Sequence, residues 1–184
     1  MVFNGSAPTL WDADTSNPSP LVLVNGTVVL AYRGCPENCT DASTTERIGF
    51  ASAPSPAAPY TRLSAAPIFD NPNEDPHVWQ DSRGHWHLLM HSLEHGGGWG
   101  SGPNVGRHAW ARDVVGPWTF GSATLAYNTT VHFTDGSVTT YSRRERPQLL
   151  WSDGSQPHPV MLTTGVQEIG TDRSYTLCQP IASG

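Results

Sequence analysis

Two carboxylates and one amide occupy comparable positions in the chain and could meet in one site. Asn17, Asp75 and Glu145 each lie one or two residues before a proline that opens a β-rich run. They are separated by 58 and 70 residues, so each belongs to a different segment. Two carboxyl groups brought together can divide acid and base roles between them, which is the chemistry that hydrolyses a glycosidic bond. They can do so only if the fold joins their segments.

The segments that carry these residues have the pattern of β-hairpins. Three segments each place two β-rich runs around a turn: 20–34, 76–92 and 147–166. The first turn is Asn25-Gly26, the strongest short hairpin signal. No window of about 12 residues keeps the apolar spacing of an amphipathic helix without a proline or glycine interrupting it. The sequence therefore predicts an all-β fold.

The hairpins recur within a longer repeat. Motifs of alternating small and aromatic residues that lead to Pro-aromatic-Thr follow at 47–63 and 106–120. Short strands repeated about every 50 residues predict a β-propeller, in which the inner strand of each blade lines a central channel. We expect one partial propeller domain over 1–184, with an insertion or extra hairpin at 123–140. The predicted blades are approximately 17–66, 71–122 and 141–182.

Three blades do not close a ring, since propellers typically have about 4–8 blades. We therefore expect the chain to be part of a larger propeller. Residues at the start of the inner strands converge on the channel from different blades. In this arrangement Asn17, Asp75 and Glu145 would face one pocket.

The three strand starts resemble a known group of enzymes. In order, "NPSPLVLVNGTVVLAYRG", "EDPHVWQDSRGHWHLLMHS" and "RERPQLLWSDG" look like the blade starts of glycoside hydrolases with a five-bladed propeller, the family 43 and family 32/68-like superfamily. The resemblance covers about 10–180. It implies a five-bladed β-propeller that hydrolyses glycosidic bonds of a polysaccharide or oligosaccharide. In that superfamily one Asp is the general base, a second Asp adjusts the pKa of the acid, and a Glu is the general acid.

Applied to this chain, the resemblance makes Glu145 the general acid and Asp75 its modulator. Asn17 stands in a context similar to that of the base, but an amide does not take a proton from water at neutral pH. We therefore expect the base to lie N-terminal to Met1, the chain by itself to be inactive, and Asn17 to bind substrate. No cofactor is expected, although a structural divalent cation in the channel stays open.

Three arginines surround Glu145. Strand alternation predicts that Arg144 and Arg146 point to the face opposite Glu145, and that Arg143 shares its face. A cation close to a general acid disfavours its protonated form. Arg143 is therefore either held away or binds substrate, for example through a sugar carboxylate.

Two other functions stay open. A catalytically inactive carbohydrate-binding propeller would explain the amide at Asn17. The chain would instead be a structural or interaction module if Glu145 only forms a solvated Arg–Glu cluster. The same conclusion would apply if Asp75 only caps the turn before its proline and Glu74 is the inward group.

The second repeat is rich in histidine: His85, His87, His91, His95 and His108. Strand alternation places His85 and His87 on one face, and we interpret them as strand residues rather than metal ligands. His108 is predicted to contact substrate, with a packing role as the alternative. Trp99, at the centre of the glycine-rich loop 94–104, is predicted to stack on a sugar ring.

Composition bears on the partners. The formal net charge is −6 and no basic stripe is present, which argues against nucleic acid. No apolar run approaches the roughly 18 residues of a membrane span. Carbohydrate is the expected partner.

Cys35 and Cys39 lie four residues apart in a loop, which favours a disulfide over a pair of metal ligands.

Glycosylation motifs bear on the compartment. The chain contains four N-x-[ST] motifs, at Asn4, Asn25, Asn38 and Asn128. They predict a secreted glycoprotein. The first residues lack the pattern of a signal peptide, so we expect that the segment was removed or that the chain is a fragment.

Overall fold

The computed structural model describes residues 10–39, 45–94, 105–121, 125–155 and 157–181. Within these ranges the chain forms thirteen β-strands. Their bounds are β1 Asp14–Val22, β2 Val28–Cys35, β3 Arg47–Ala53, β4 Thr61–Arg62, β5 Asn73–Gln80, β6 Trp86–Ser92, β7 Gly106–Ala111, β8 Thr119–Phe120, β9 Thr130–His132, β10 Val138–Thr140, β11 Arg143–Trp151, β12 Pro159–Gln167 and β13 Ser174–Pro180. No helix in these ranges is long and apolar enough to cross a membrane.

The strands form antiparallel sheets in which sequence neighbours pair. The first four strands form blade 1 and the next four form blade 2. Strands β11, β12 and β13 form blade 3, and β9 pairs with β10 in a separate hairpin. The first strands of the blades, β1, β5 and β11, are the inner strands: β5 contacts both of the others. The start of each inner strand can therefore contribute to one shared site.

Burial along the strands reflects the position of each blade. In blade 2, β6 is buried at every position except His87, because blades 1 and 3 cover both of its faces. In blade 3, β11 alternates largely between exposed and buried residues, and β13 is buried only at Leu177. One face of blade 3 therefore packs on the rest of the chain and the other faces solvent.

Apolar side chains fill the spaces between blades. One cluster joins blades 1 and 2 and includes Phe50, Trp86 and Met90. A second joins blades 2 and 3 and includes Leu89 and Leu149. Burial of this apolar area is the main force that holds the blades side by side.

A β-bulge interrupts each inner strand near its start. The pairing register shifts between Ser16 and Ser19, Glu74 and His77, and Glu145 and Gln148. In each bulge the residue before the proline has a positive φ: 50° at Asn17, 51° at Asp75 and 55° at Arg146. Proline has no N–H to donate to the ladder, so the ladder is already interrupted at this point. The same bulge therefore occurs near the start of the inner strand in all three blades.

Candidate functional site

The bulge residues link the three blades to one another. Asn17 Nδ2 in blade 1 donates to Asp75 Oδ1 in blade 2 at 2.5 Å. The backbone N–H of Arg146 in blade 3 donates to Asp75 Oδ2 at 3.1 Å. The bulge at Arg146 takes this N–H out of the strand ladder, and Asp75 satisfies it. Asp75 therefore lies at the junction of three inner strands, 4% exposed, with both oxygens hydrogen-bonded.

Glu145 stands beside this junction. A Glu145 carboxylate oxygen and the ligand atoms of Asp75, Glu74 and His91 all lie within 4.8 Å of one another. The Glu145 side chain is 20% exposed, and its Oε1 forms an ion pair with Arg146 Nη1 at 2.6 Å. The structure thus brings together Asn17, Asp75 and Glu145, and Glu145 has the more accessible of the two carboxyl groups.

The prediction that Arg146 points away from Glu145 is wrong, and the bulge explains why. Simple alternation does not hold through a bulge, so neighbouring residues can direct their side chains together. The register also shows that Arg146, not Glu145, is the equivalent of Asn17 and Asp75. Glu145 is instead equivalent to Glu74, one residue before the bulge.

Arg144 lies on the opposite face, as alternation predicts, and is buried. Its guanidinium donates to Thr164 Oγ1 at 3.0 Å and to Gln179 Oε1 at 2.8 Å. It also lies 5.0 Å from the ring centroid of Tyr127 and donates to the backbone oxygen of Asn128. Arg144 therefore holds blade 3 against the segment that precedes the β9–β10 hairpin.

A buried polar network adjoins Asp75, and sequence reasoning missed most of it. His91 Nδ1 lies 3.0 Å from Glu74 Oε1. Arg33 forms an ion pair with Glu46, and its Nη1 lies 3.8 Å from Glu74 Oε2. These side chains come from different strands and from the residue before β3, so no local pattern joins them. Two signals were available: the alternation that places His91 on the same face of β6 as His87, and the alternative that Glu74 is the inward group.

The network sets the protonation of the site. Burial, with the nearby charge of Glu74, raises the pKa of Asp75 to about 6. The same two causes raise the pKa of Glu46 to about 7. Burial is the largest single effect on Glu74 and opposes its ionisation, but the hydrogen bond and charge of His91, the charge of Arg33 and the hydrogen bond with Glu46 together outweigh it and lower the pKa of Glu74. The site therefore favours the charged form of Glu74 and disfavours the charged forms of Asp75 and Glu46.

The same residues have the composition of a cation site. Glu74, Asp75, Glu145 and His91 supply carboxylate oxygens and one imidazole nitrogen. Oxygen-rich sets of this kind suit a hard divalent cation. In the described part of the chain these four residues could hold such an ion. Their hydrogen bonds to Asn17 and Arg146 would compete with it.

The structure does not bring His108 to the carboxylates. Its ring stacks on Trp79 with the centroids 5.7 Å apart, and its Nε2 lies 3.0 Å from His87 Nδ1. Burial, with a smaller contribution from His87, lowers the pKa of His108 to about 4. His108 belongs to an aromatic stack in blade 2. Trp99 lies outside the described residues.

The predicted disulfide is wrong in this structure. Cys35, Cys39 and Cys178 are all free thiols. Cys35 is buried at the end of β2, whereas Cys39 Sγ lies 3.1 Å from Thr45 Oγ1. Burial, together with a hydrogen bond to Cys39, raises the pKa of Cys35 to about 12. The two thiols are therefore neighbours in hydrogen-bond contact without a covalent bond.

The asparagines of three of the four glycosylation motifs lie in described residues. Asn25, Asn38 and Asn128 are all exposed, so glycosylation at these positions stays a prediction that the fold permits. Asn4 lies outside the described residues.

Comparison with known proteins gives a fold but no family. No family model matches the chain, and no curated protein matches it. The chain is similar to a solved member of the GH130 family of mannoside phosphorylases, a family that contains glycoside hydrolases that target β-1,2 mannosidic linkages in Candida mannan. The TM-score is 0.57 and the sequence identity is 16%. The match covers 94% of this chain and 50% of the other. It is also similar to a glycosyl hydrolase from Bacteroides ovatus, with TM-score 0.55, 17% identity, 92% of this chain and 49% of that one.

These likenesses confirm the predicted fold class. The chain folds as a β-propeller of the five-bladed type found in glycoside hydrolases, with three blades present. It spans about half the length of the two solved structures. At this level of identity the likeness concerns the fold alone.

Proposed function

We propose that the chain supplies the general acid, and the carboxylate that modulates it, of a glycoside hydrolase acting on oligosaccharides or polysaccharides. The observation that carries the proposal is the placement of an accessible Glu145 beside a buried Asp75 where three inner strands meet. The fold shared with glycoside hydrolases supports it.

The two carboxyl groups are suited to different roles. Both oxygens of Asp75 already accept hydrogen bonds, and its side chain is buried, so it acts through its charge rather than by touching substrate. Glu145 lines a cavity and can reach a glycosidic oxygen. A protonated Glu145 does not form an ion pair, so protonation weakens its contact with Arg146, whose side chain is 62% exposed.

Asp75 is too close to Glu145 to act as the base of an inverting pair. Such carboxyl groups stand about 6.5–9.5 Å apart, which leaves room for a water molecule between them. Oxygens of Glu145 and Asp75 lie within 4.8 Å. Asn17 uses its amide nitrogen to hold Asp75. We therefore propose that the base belongs to another part of the whole propeller.

The test follows cleavage of a panel of oligosaccharides by chromatography and mass spectrometry, with and without sodium azide; the expected products are the shortened oligosaccharide and, with azide, the glycosyl azide. Azide is an anionic nucleophile that can attack without a general base. We expect turnover that depends on Glu145, with a loss of about 100-fold or more in Glu145→Gln. Glu168→Gln, on the surface of the same blade, is the matched control and should keep full activity.

The stability of the variant separates chemistry from folding. An exposed ion pair contributes only about 0–1 kcal/mol, so Glu145→Gln should melt within a few degrees of the wild type. Equal turnover by Glu145→Gln and wild type would refute the acid assignment.

A second candidate function is carbohydrate binding without catalysis. It is favoured by Asn17, an amide at the first bulge, where a base would need a carboxylate. Binding of a glycan without turnover, even with azide present, would select this function over hydrolysis.

A further inference from the structure

A cleft opens between blades 2 and 3 near the ends of their inner strands. Its volume is about 930 Å³, within the range of about 300–1,000 Å³ that is typical of small-ligand pockets. On β5 and the turn that follows it, residues 77–82 line the cleft, whereas Asp75 lies near the start of that strand. Asp75 and Trp79 are four residues apart, which is about 13 Å along a strand. The cleft is therefore separate from the site that contains Glu145.

Both walls of the cleft belong to blades that pack on each other. Trp79 and His87 line it from blade 2, and Leu149 and Trp151 line it from blade 3. Trp79, Leu149 and Trp151 belong to the apolar cluster that joins these two blades. A further blade beside blade 3 would cover the opposite face of that sheet, so it would leave both walls as they are.

Hydrogen bonds between the inner strands fix the width of the cleft. The backbone N–H of Leu149 donates to His77 Nε2 at 3.3 Å, which ties blade 3 to blade 2. The backbone N–H of Val78 donates to Ser19 Oγ at 3.0 Å, which ties blade 2 to blade 1. The cleft is therefore preorganised, and neither of these two N–H groups is available to pair with a bound peptide.

Two tryptophans give the cleft an aromatic lining. The ring centroids of Trp79 and Trp151 lie 6.2 Å apart, with an angle of 61° between the ring planes. His87 stacks on Trp79 at a centroid distance of 5.1 Å, and its Nε2 lies 3.3 Å from Asp81 Oδ2. Both tryptophans are only half-buried. Their rings are therefore held in position and stay partly accessible to a ligand.

The polar side chains of the cleft favour an uncharged ligand. Asp81 is the only carboxylate among the described lining residues, and none of these residues is an arginine. The Asp81 carboxylate already forms an ion pair with Arg83 at 2.6 Å. Ser82 and Ser155 are exposed and add hydroxyl groups to the lining. These features fit a neutral ligand that has an apolar face and a hydroxyl-bearing edge.

We propose that the cleft is a second carbohydrate-binding site, which takes an uncharged sugar ring of a glycan. The C–H groups on one face of the ring pack on the indole of Trp79 or Trp151, and the hydroxyls at its edge bond with Ser82, Ser155 and water. The site holds the glycan at the end of the inner strands away from Glu145. It does not depend on the proposed hydrolysis.

Binding experiments with the whole chain test the inference without turnover. The probes are neutral oligosaccharides of glucose, mannose, xylose and arabinose, and a proline-rich peptide, because such peptides also bind aromatic grooves. Titration calorimetry should detect at least one of the oligosaccharides. In the NMR spectrum of the chain, that oligosaccharide should shift the indole N–H signals of Trp79 and Trp151.

Variants assign the binding to the cleft. Trp151→Ala should weaken binding of the oligosaccharide about tenfold or more, because it removes a stacking surface. Trp151→Phe keeps an aromatic ring and the packing between blades 2 and 3, so it should fold like the wild type and lose less affinity. Trp110→Ala is the matched control, since Trp110 is 37% exposed on blade 2 and is not among the lining residues. It should bind like the wild type.

Three results would overturn the inference. They are a failure of every neutral oligosaccharide to bind, binding that leaves the Trp79 and Trp151 signals unchanged, and binding of the proline-rich peptide alone. Turnover that needs Glu145, without any glycan in the cleft, would overturn the inference and leave the proposed function standing. Binding that depends on Trp151 in a chain without turnover would support the second site and remove the hydrolase.

Discussion

Replacing Asp75 with asparagine should change the pH dependence of stability. The pKa of Asp75 is raised from 3.8 to about 6 in the folded chain. A carboxyl whose folded pKa is raised contributes stability that is fully present below the unfolded value and is lost as the pH rises through the folded value. The window here is about pH 4 to 6, and the loss is about 3 kcal/mol, because one pKa unit corresponds to about 1.4 kcal/mol.

Asparagine also changes the hydrogen bonds, but this cost does not depend on pH. One acceptor for Asn17 or for the Arg146 N–H is lost, at about 1–3 kcal/mol. The informative quantity is therefore the difference in unfolding free energy between wild type and Asp75→Asn as a function of pH. We expect the variant to gain about 3 kcal/mol relative to wild type between pH 4 and pH 7.

Urea denaturation at a series of pH values measures this difference. Glu168→Gln is the control, and its difference from wild type should not show the same rise between pH 4 and 7. The pKa of Glu46 is also raised, so the wild type itself should lose stability over this range. A constant difference between Asp75→Asn and wild type would refute the placement of a proton on Asp75.

Two further predictions concern the scaffold. Arg144→Met removes the hydrogen bonds to Thr164 and Gln179 and the contact with Tyr127, and it leaves buried acceptors unpaired. We expect urea denaturation to show a loss of roughly 3–5 kcal/mol in the free energy of unfolding. A loss below about 1 kcal/mol would contradict the buried position of Arg144. Thiol titration of the unfolded chain without reductant should count three free cysteines, and a count of one would restore the disulfide.

The propeller and the meeting of Asn17, Asp75 and Glu145 could be predicted because their signals are local. A polar residue before a proline at the head of a β-rich run marks the start of an inner strand, and the repeat brings such starts together. The positions within each start could not be assigned in this way. The sequence pattern matched Glu145 with Asp75 because both are carboxylic acids. The positive φ shows instead that Arg146 is the structural equivalent of Asp75.

The network beside the site could not be predicted for a different reason. Arg33 and His91 lie on the second strands of their hairpins and Glu46 lies before β3, away from the strand starts that the pattern marks. Pairing of β5 with β6 brings His91 to Glu74, whereas the packing of blades 1 and 2 brings Arg33 and Glu46 there. Alternation failed in the same place, at Arg146, because one extra residue in a bulge reverses which neighbours share a face. Local rules therefore predicted the architecture and failed where the site departs from regular strand geometry.

The charge balance gives a physical reason for an amide at position 17. Four carboxylates, from Glu46, Glu74, Asp75 and Glu145, face the guanidiniums of Arg33 and Arg146. Burial, together with this excess of negative charge, raises the pKa values of Glu46 and Asp75. A carboxylate in place of the Asn17 amide, which lies 2.5 Å from Asp75, would add another buried negative charge and remove a donor. The amide instead fixes Asp75 in place, so the first bulge helps to position the modulating carboxyl group rather than to activate water.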